Sequence, residues 1–205
     1  MFYKDIVFKT TILDNYGPTK IICENIEAKK TVLDIGCNSG VLANTLNAKY
    51  CQTDGVDINK KALKIAGKYC HKTYLRNLYN SKLNLNNKKY DYIVFSDILE
   101  HLPTPDLLLK DSIRYLKKGG FVWISLPNIA RFEQRIYHLF GDFTYKPGVM
   151  SADHLRFFTH KTGIKLIKES GLEVVQEFYT GLGQKISIFP NLLSFQFVYK
   201  CKLRI

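Results

Sequence analysis

Asp97, Glu100 and His101 stand three and four positions apart. That spacing gathers ionisable side chains on one face wherever the backbone turns helically. Two carboxylates and an imidazole so placed can take a proton from an attacking hydroxyl. With the distant His154, the same groups form an oxygen and nitrogen ligand set for a divalent ion such as Mg, Mn or Zn. Magnesium prefers all-oxygen shells, so two imidazoles lean towards manganese or zinc. Two plainer readings stand beside this one. His101 acts as a base without metal, or it is a hydrogen-bonded structural histidine while His154 holds down its own segment.

A second constellation is built to bind rather than to react. Val32-Leu33-Asp34-Ile35 runs into the turn Gly36-Cys37-Asn38-Ser39-Gly40, and Asp57 closes a second apolar run. Glycine in such a bend permits positive φ and lets a ligand approach the backbone closely. An ionised acid at position 57 can accept both hydroxyls of a ribose. The turn is not a G-x-G-x-x-G dinucleotide loop, because Asp34 takes the first glycine position. No G-K-[ST] follows, which excludes a P-loop.

The elements that must position these groups follow an alternating rhythm. Helical stretches are predicted at 18–29, 40–49, 59–69, 105–118 and 161–170. Strands are predicted at 31–36, 53–57, 72–76, 90–96, 121–126, 172–179 and about 193–201. Lys117-Lys118-Gly119-Gly120 reads as the close of the 105–118 helix, with basic residues and a glycine stop. Such alternation predicts an α/β fold with a mostly parallel sheet. Residues 128–160 interrupt the rhythm with interleaved aromatic and basic side chains, an insertion at the carboxyl edge where ligands bind. Its Tyr and Phe residues are read as packing on the sheet. Arg131, Arg135 and Arg156 suit a phosphate or carboxylate at the pocket rim. Asp153 is expected to cap or to pair with Arg156.

These motifs together resemble the class I S-adenosylmethionine-dependent methyltransferases over essentially the whole chain. Val32–Gly40, Gly55–Ile58, Tyr90–Leu102 and Leu116–Gly120 carry the likeness. Leu126-Pro127-Asn128 and His154–Thr159 resemble a smaller branch with methionine-biosynthesis-W-like and ubiquinone O-methyltransferase-like members. The resemblance implies one Rossmann-like domain over 1–205. Its seven-stranded mixed sheet would carry helices on both faces and an antiparallel last strand. It implies that Asp34 steers the methionine ammonium and that Gly36 and Gly40 let the methionine end pass. Cys37 and Asn38 lie in the same binding turn. Asp57 would take the ribose hydroxyls, Ile58 and Leu78 would lie by the adenine, and Ser96 would line the floor. Asn77 stands where an acid usually accepts the adenine amino group, and its amide oxygen can still accept. Asp97, Glu100, His101 and His154 resemble the metal set of small-RNA 2′-O-methyltransferases, with Asp97 one methylene shorter than the usual glutamate.

Composition bounds the partners. The chain has 205 residues, 46% of them hydrophobic, and a formal charge of +12. Lys60, Lys61, Lys64 and Lys68 fall on one helical face, and RNA is one reading of that charge. The five cysteines form no C-x-x-C pair, which fits a reduced, cytoplasmic location. The N-terminus does not read as a signal peptide, and no run reaches the roughly 18 apolar residues of a membrane span. Phe189–Tyr199 with Lys200, Lys202 and Arg204 could touch a membrane surface. His71, His138 and His160 are read as surface or packing residues. The expected reaction is O-methylation of a small or lipid- or glycan-linked hydroxylated acceptor, such as a sugar or quinol. The alternatives are RNA ribose 2′-O-methylation and an inactive cofactor-binding partner subunit.

Overall fold

Along β1 (Thr31–Ile35), Val32 joins one apolar layer while Leu33 and Ile35 join the other. Both faces are therefore covered, as a parallel sheet requires. The computed structural model of the chain describes residues 17–85, 87–185 and 189–204. The remaining strands are β2 (Gln52–Asp57), β3 (Lys72–Leu75), β4 (Tyr90–Phe95), β5 (Leu116–Pro127), β6 (Leu172–Gly181) and β7 (Ser194–Leu203). They form one sheet in the order β3-β2-β1-β4-β5-β7-β6. β7 runs antiparallel to both β5 and β6, and the other pairings are parallel.

Helices α1 (Pro18–Asn25) and α2 (Val41–Asn47) cover one face, where Ile22, Leu42 and Leu46 meet Val32, Val94 and Trp123. Helices α4 (Pro105–Ile113) and α6 (His160–Glu169) cover the other, with Leu108, Leu109 and Ile167 against Ile93, Phe95 and Ile124. Each such large apolar side chain contributes about 1.5–3 kcal/mol when fully buried. Helix α3 (Lys60–Ala66) is capped by the Asn59 side chain, which accepts from the Lys61 and Ala62 amides. It buries Ala62, Leu63 and Ala66 and leaves Lys60, Lys61 and Lys64 exposed. Among the described residues, no helix is long and apolar enough to cross a membrane.

Two expectations need correction. The 105–118 helix stops at Ile113, and Lys117–Gly120 belong to β5 instead. Leu116 pairs with Tyr90, and Gly120 lies so close to the Asp91 carbonyl oxygen that a Cβ would meet it at 2.7 Å. The 18–29 helix ends at Asn25, whose side-chain amide donates to the Ile21 carbonyl. In the aromatic C-terminal stretch, Phe197, Val198 and Tyr199 are core residues and Lys202 pairs with Glu173. Ser194–Tyr199 of that stretch belong to β7, as the predicted last strand requires, while Phe189 and Phe195 are exposed; residues 1–16, 86, 186–188 and 205 lie outside the described residues.

The insertion is pinned at its base. Asn128 and Phe158 form a parallel bridge, and the Ile129 amide donates to the Phe158 carbonyl at 2.9 Å. Between them lies α5 (Phe132–Leu139), which buries none of its residues. The expectation that its aromatics pack on the sheet is therefore overturned. Two short helices, α7 (Leu182–Lys185) and α8 (Pro190–Leu193), link β6 to β7.

Candidate active site

The strand order reverses between β1 and β4, so the loops leaving their carboxyl ends diverge and open a crevice. After β1 comes the turn, with Gly36 at φ +82° and Gly40 at φ +83°. A Cβ on Gly36 would stand 2.8 Å from the Ile98 side chain, and one on Gly40 would stand 3.0 Å from the Ala66 Cα. The first glycine lets the turn pass the loop after β4; the second lets α3 pack against it. The Asp57 carboxylate accepts the Asn38 amide on one oxygen and the Asn59 amide on the other, each at 2.8 Å. Each oxygen keeps a second lone pair for a hydroxyl. Burial holds Asp57 above the usual carboxylate range, opposed by those amides.

Two adjoining hollows share Gly36 and His101. The narrower is lined by Asp57, Ile58, Asn77 and Leu78, among others. The Asn77 oxygen already accepts the Tyr79 amide at 3.0 Å. The larger, of about 710 Å³, is lined by Asp34, Cys37, Asn38, Ser96, Asp97, Glu100 and His154, among others. Gly40 lines neither and acts through packing. Asp34 is buried at the floor, and burial together with Asp57 pushes its carboxyl up to about 7. The Cys37 thiol is hydrogen-bonded with Cys70, which, with burial, pushes it up.

The acid and histidine set divides into two groups. Asp97 sits at φ +52°, a strained position for a non-glycine residue. Its Oδ1 accepts the Ser125 hydroxyl at 2.6 Å and the Gln196 amide at 2.8 Å. Burial raises its pKa, and both hydrogen bonds oppose the rise. Ser125 on β5 and Gln196 on β7 went unrecognised in the sequence. A lone polar residue between Phe195 and Phe197 was the available signal.

Glu100, His101 and His154 form the second group, with one ligand atom of each lying within 4.8 Å of the others. Asp97 is not part of that cluster, so the expected four-ligand set contracts to three among the described residues. His101 directs Nδ1 at the Asp153 carbonyl oxygen at 3.1 Å, and His154 directs Nδ1 at the Val149 carbonyl oxygen at 2.9 Å. A carbonyl only accepts, so both rings carry hydrogen on Nδ1 and turn Nε2 away from that carbonyl. Burial and then the neighbouring His154 lower the His101 pKa, against the opposing pull of Asp153. Glu100 is buried, its Oε2 has no hydrogen-bond partner, and burial and then Asp97 drive its pKa well up. An orphaned carboxylate oxygen beside two tethered imidazoles fits a divalent cation.

The remaining side chains depart from expectation. Asp153 accepts from the Ser151 hydroxyl and lies 3.4 Å from His101 Nδ1, while Arg156 donates to the Pro103 carbonyl. The expected Asp153–Arg156 pair is absent among the described contacts. Of the three arginines, Arg131 alone lines the larger hollow, where it is paired with Glu133. His71 bonds Asp54, His160 bonds Glu177, and His138 stacks on Phe143. These are packing and surface roles.

Residues 17–177 match the family model described as a methyltransferase domain. The chain belongs to this family. It is a class I S-adenosylmethionine-dependent methyltransferase domain. Ubiquinone biosynthesis O-methyltransferase of Nitrosomonas europaea is 29% identical over 106 residues, 49% of the chain and 45% of that protein. The Vibrio cholerae O395 protein of the same name is 26% identical over 160 residues, 75% of the chain and 64% of that protein. The methyltransferase chain thus spans less than two thirds of these curated relatives. A solved S-adenosylmethionine-dependent methyltransferase from Clostridium acetobutylicum shares the fold, with a TM-score of 0.68 and 17% identity, covering 94% of this chain and 93% of that one.

Proposed function

We propose that this methyltransferase methylates one oxygen of a small or lipid- or glycan-linked acceptor carrying neighbouring oxygens, such as a quinol or sugar. The observation that carries the reading is the Glu100, His101 and His154 cluster opening into the hollow that Asp34 and Gly36 share. S-adenosylmethionine supplies a methyl group already activated on sulfur. Asp34 is placed to receive its ammonium, and that charge ionises a carboxyl poised about neutrality. Asp57 offers one lone pair on each oxygen to the ribose hydroxyls. Ile58 and Leu78 give the adenine an apolar berth, with the Asn77 oxygen at its edge. Ser96 and the Cys37–Asn38 backbone line the methionine end.

On the acceptor side, Glu100, His101 and His154 would hold a divalent ion, manganese or zinc by the two imidazoles. Such an ion lowers the pKa of hydroxyls it holds. Asp97, whose Oδ1 is held by Ser125 and Gln196, lines the same hollow and would take the acceptor's proton on its other oxygen. The O-methyltransferase relatives support O-methylation, and five free cysteines accord with a cytoplasmic location. The exposed lysines of α3 favour a second reading, ribose 2′-O-methylation of RNA.

The test is transfer of labelled methyl from S-adenosylmethionine to catechols, quinols, sugars and RNA, with EDTA and with added Mn²⁺. The expected result is transfer to a vicinal-oxygen small molecule, lost in EDTA and restored by manganese. Undiminished transfer in EDTA by the His154→Ala protein would overturn the metal. Methylation of RNA alone would establish the second reading. Cofactor binding without transfer to any acceptor would establish an inactive partner subunit.

A further inference from the structure

Two of the five cysteines meet against the turn that follows β1. Cys37 stands in that turn and is buried; Cys70 stands between α3 and β3 and is half-buried. Their thiols are hydrogen-bonded to each other beside Gly55 of β2. A Cβ on Gly55 would lie 2.6 Å from the Cys37 sulfur and 3.1 Å from the Cys70 sulfur. The missing side chain at position 55 is therefore what lets the two sulfurs come together. Leu63 and Ala66 of α3 complete the apolar surroundings. Cys23, Cys51 and Cys201 are all buried, and the Cys51 thiol donates to the Glu27 carbonyl.

We propose that Cys37 and Cys70 form a reversible disulfide under peroxide, and that this bond disables the cofactor turn. Cys70 is the more accessible of the pair, so its sulfur meets the oxidant first. It attacks one oxygen of hydrogen peroxide, the O–O bond breaks, Cys70 becomes a sulfenic acid and water leaves. The Cys37 sulfur then attacks the Cys70 sulfur. The S–S bond forms, the S–O bond breaks, and hydroxide departs as water with the Cys37 proton. Two thiols have given up two electrons, and one peroxide has become two waters. A dithiol reverses the reaction by exchange. The hydrogen bond with Cys70, and then burial, push the Cys37 thiol up, so it does not meet peroxide as a thiolate on its own.

A disulfide holds its sulfurs about 2.0 Å apart, much closer than two hydrogen-bonded thiols. Closing that gap draws Cys37 towards Cys70. The Cys37 amide donates to the Val56 carbonyl at 3.0 Å, and the next amide, that of Asn38, donates to Asp57 at 2.8 Å. The pull thus reaches the carboxylate placed to take the ribose. In a reducing compartment a bond of this kind is transient, which suits a sensor. Formation of the bond stands on the sulfur geometry alone. Its effect on cofactor binding rests on the reading under Proposed function.

The test is hydrogen peroxide treatment of the full chain, followed by peptide mapping without reductant and by calorimetry with S-adenosylhomocysteine. A Cys37–Cys70 link is expected as the main disulfide. Affinity for S-adenosylhomocysteine is expected to fall at least about fivefold, as for the loss of one buried hydrogen bond, and to return with dithiothreitol. Linkage demands the reverse: saturating S-adenosylhomocysteine is expected to lower the disulfide-to-dithiol ratio in a glutathione buffer by the same factor. Cys70→Ser is expected to keep the reduced protein's affinity and melting temperature and to lose the peroxide response, whereas Cys51→Ser retains that response. Absence of the 37–70 link, a link that leaves affinity unchanged, or an undiminished response in Cys70→Ser would overturn the proposal. Failure of the reduced chain to bind S-adenosylhomocysteine would count against the cofactor reading and leave the disulfide standing on the peptide map.

Discussion

The imidazoles of His101 and His154 meet edge to face, with ring centres 4.8 Å apart and planes at 80°. His101 arrives on the turn after β4 and His154 on the far side of the insertion, yet each ring is steered by a backbone carbonyl of that insertion. The carbonyl of Glu100 in turn accepts the amides of Leu155 and Arg156, at 2.8 and 3.0 Å. Backbone therefore clamps the two segments together, and the histidines are oriented before any ligand arrives.

Removing one imidazole tests what that orientation is for. His154→Ala is expected to weaken Mn²⁺ binding by at least about tenfold, a loss seen even when an outer partner of a ligand is removed. Titration calorimetry on the cofactor-bound protein measures it. Unaltered manganese affinity would leave the pair a structural one.

With Asp34 receiving the methionine ammonium as proposed, cofactor affinity is expected to depend on pH. Its carboxyl ionises at about 7 rather than at the ordinary 3.8, because burial and Asp57 oppose its charge. From pH 3.8 to about 7 the folded protein keeps a proton that the unfolded chain has lost. The ligand-free protein therefore loses stability as pH rises through that window, and this contribution is flat above it. Binding a cationic ligand needs the ionised form. Affinity for S-adenosylmethionine is thus expected to rise about tenfold per pH unit below 7 and to level off above. Asp34→Asn should abolish the slope and cost about ten- to a hundredfold in affinity, read by calorimetry across pH.

If Asp97 takes the acceptor's proton as proposed, Gln196 is expected to act on the reaction through it. It supplies one of the two hydrogen bonds that hold the Asp97 pKa down against burial. Gln196→Leu leaves that pKa higher, so the acidic limb of the pH–rate profile moves to higher pH. A roughly tenfold fall in kcat is expected with cofactor affinity unchanged. Gln196→Glu would not restore the bond at neutral pH, whereas Gln196→Asn tests reach.

The backbone under the cofactor turn has no spare room. A Cβ on Gly55 would lie 2.6 Å from the Cys37 sulfur. Gly55→Ala is expected to cost about 1–3 kcal/mol in urea unfolding and to weaken cofactor binding by displacing the turn. Cys37→Ala in the same chain should recover most of that loss, a coupling that a double-mutant cycle measures directly.

The sequence made the order of elements legible because β1, β4 and the second half of β5 are short apolar runs, and α4 and α6 carry apolar residues at helical spacing. The glycine turn after β1 was legible for a related reason: Asp34, Gly36, Gly40 and Asp57 are close in sequence, and the backbone geometry demands the two glycines. Lys117-Lys118-Gly119-Gly120 misled because basic residues before glycine suit a helix end as well as they suit a strand with a bulge. Only the pairing of Leu116 with Tyr90 decides between them. The holders of Asp97 were hidden because Ser125 and Gln196 come from strands far along the chain, brought together by the antiparallel β5–β7 register. The outward face of α5 was hidden for another reason. Spacing defines which residues share a face, and only the surrounding contacts say which way that face looks.

The bridge between Asn128 and Phe158 has an evolutionary and practical corollary. Everything that could choose an acceptor within residues 129–157 departs from the sheet and rejoins it at neighbouring points. Closing a loop of any length there costs little beyond the first few residues, so the segment can be lengthened, shortened or exchanged while the donor half keeps its register. Grafting the equivalent stretch of another methyltransferase between Asn128 and Phe158 should transplant acceptor preference as a unit. The two contacts that must be kept are the Asn128–Phe158 bridge itself and the Glu100 carbonyl on which the returning segment is seated.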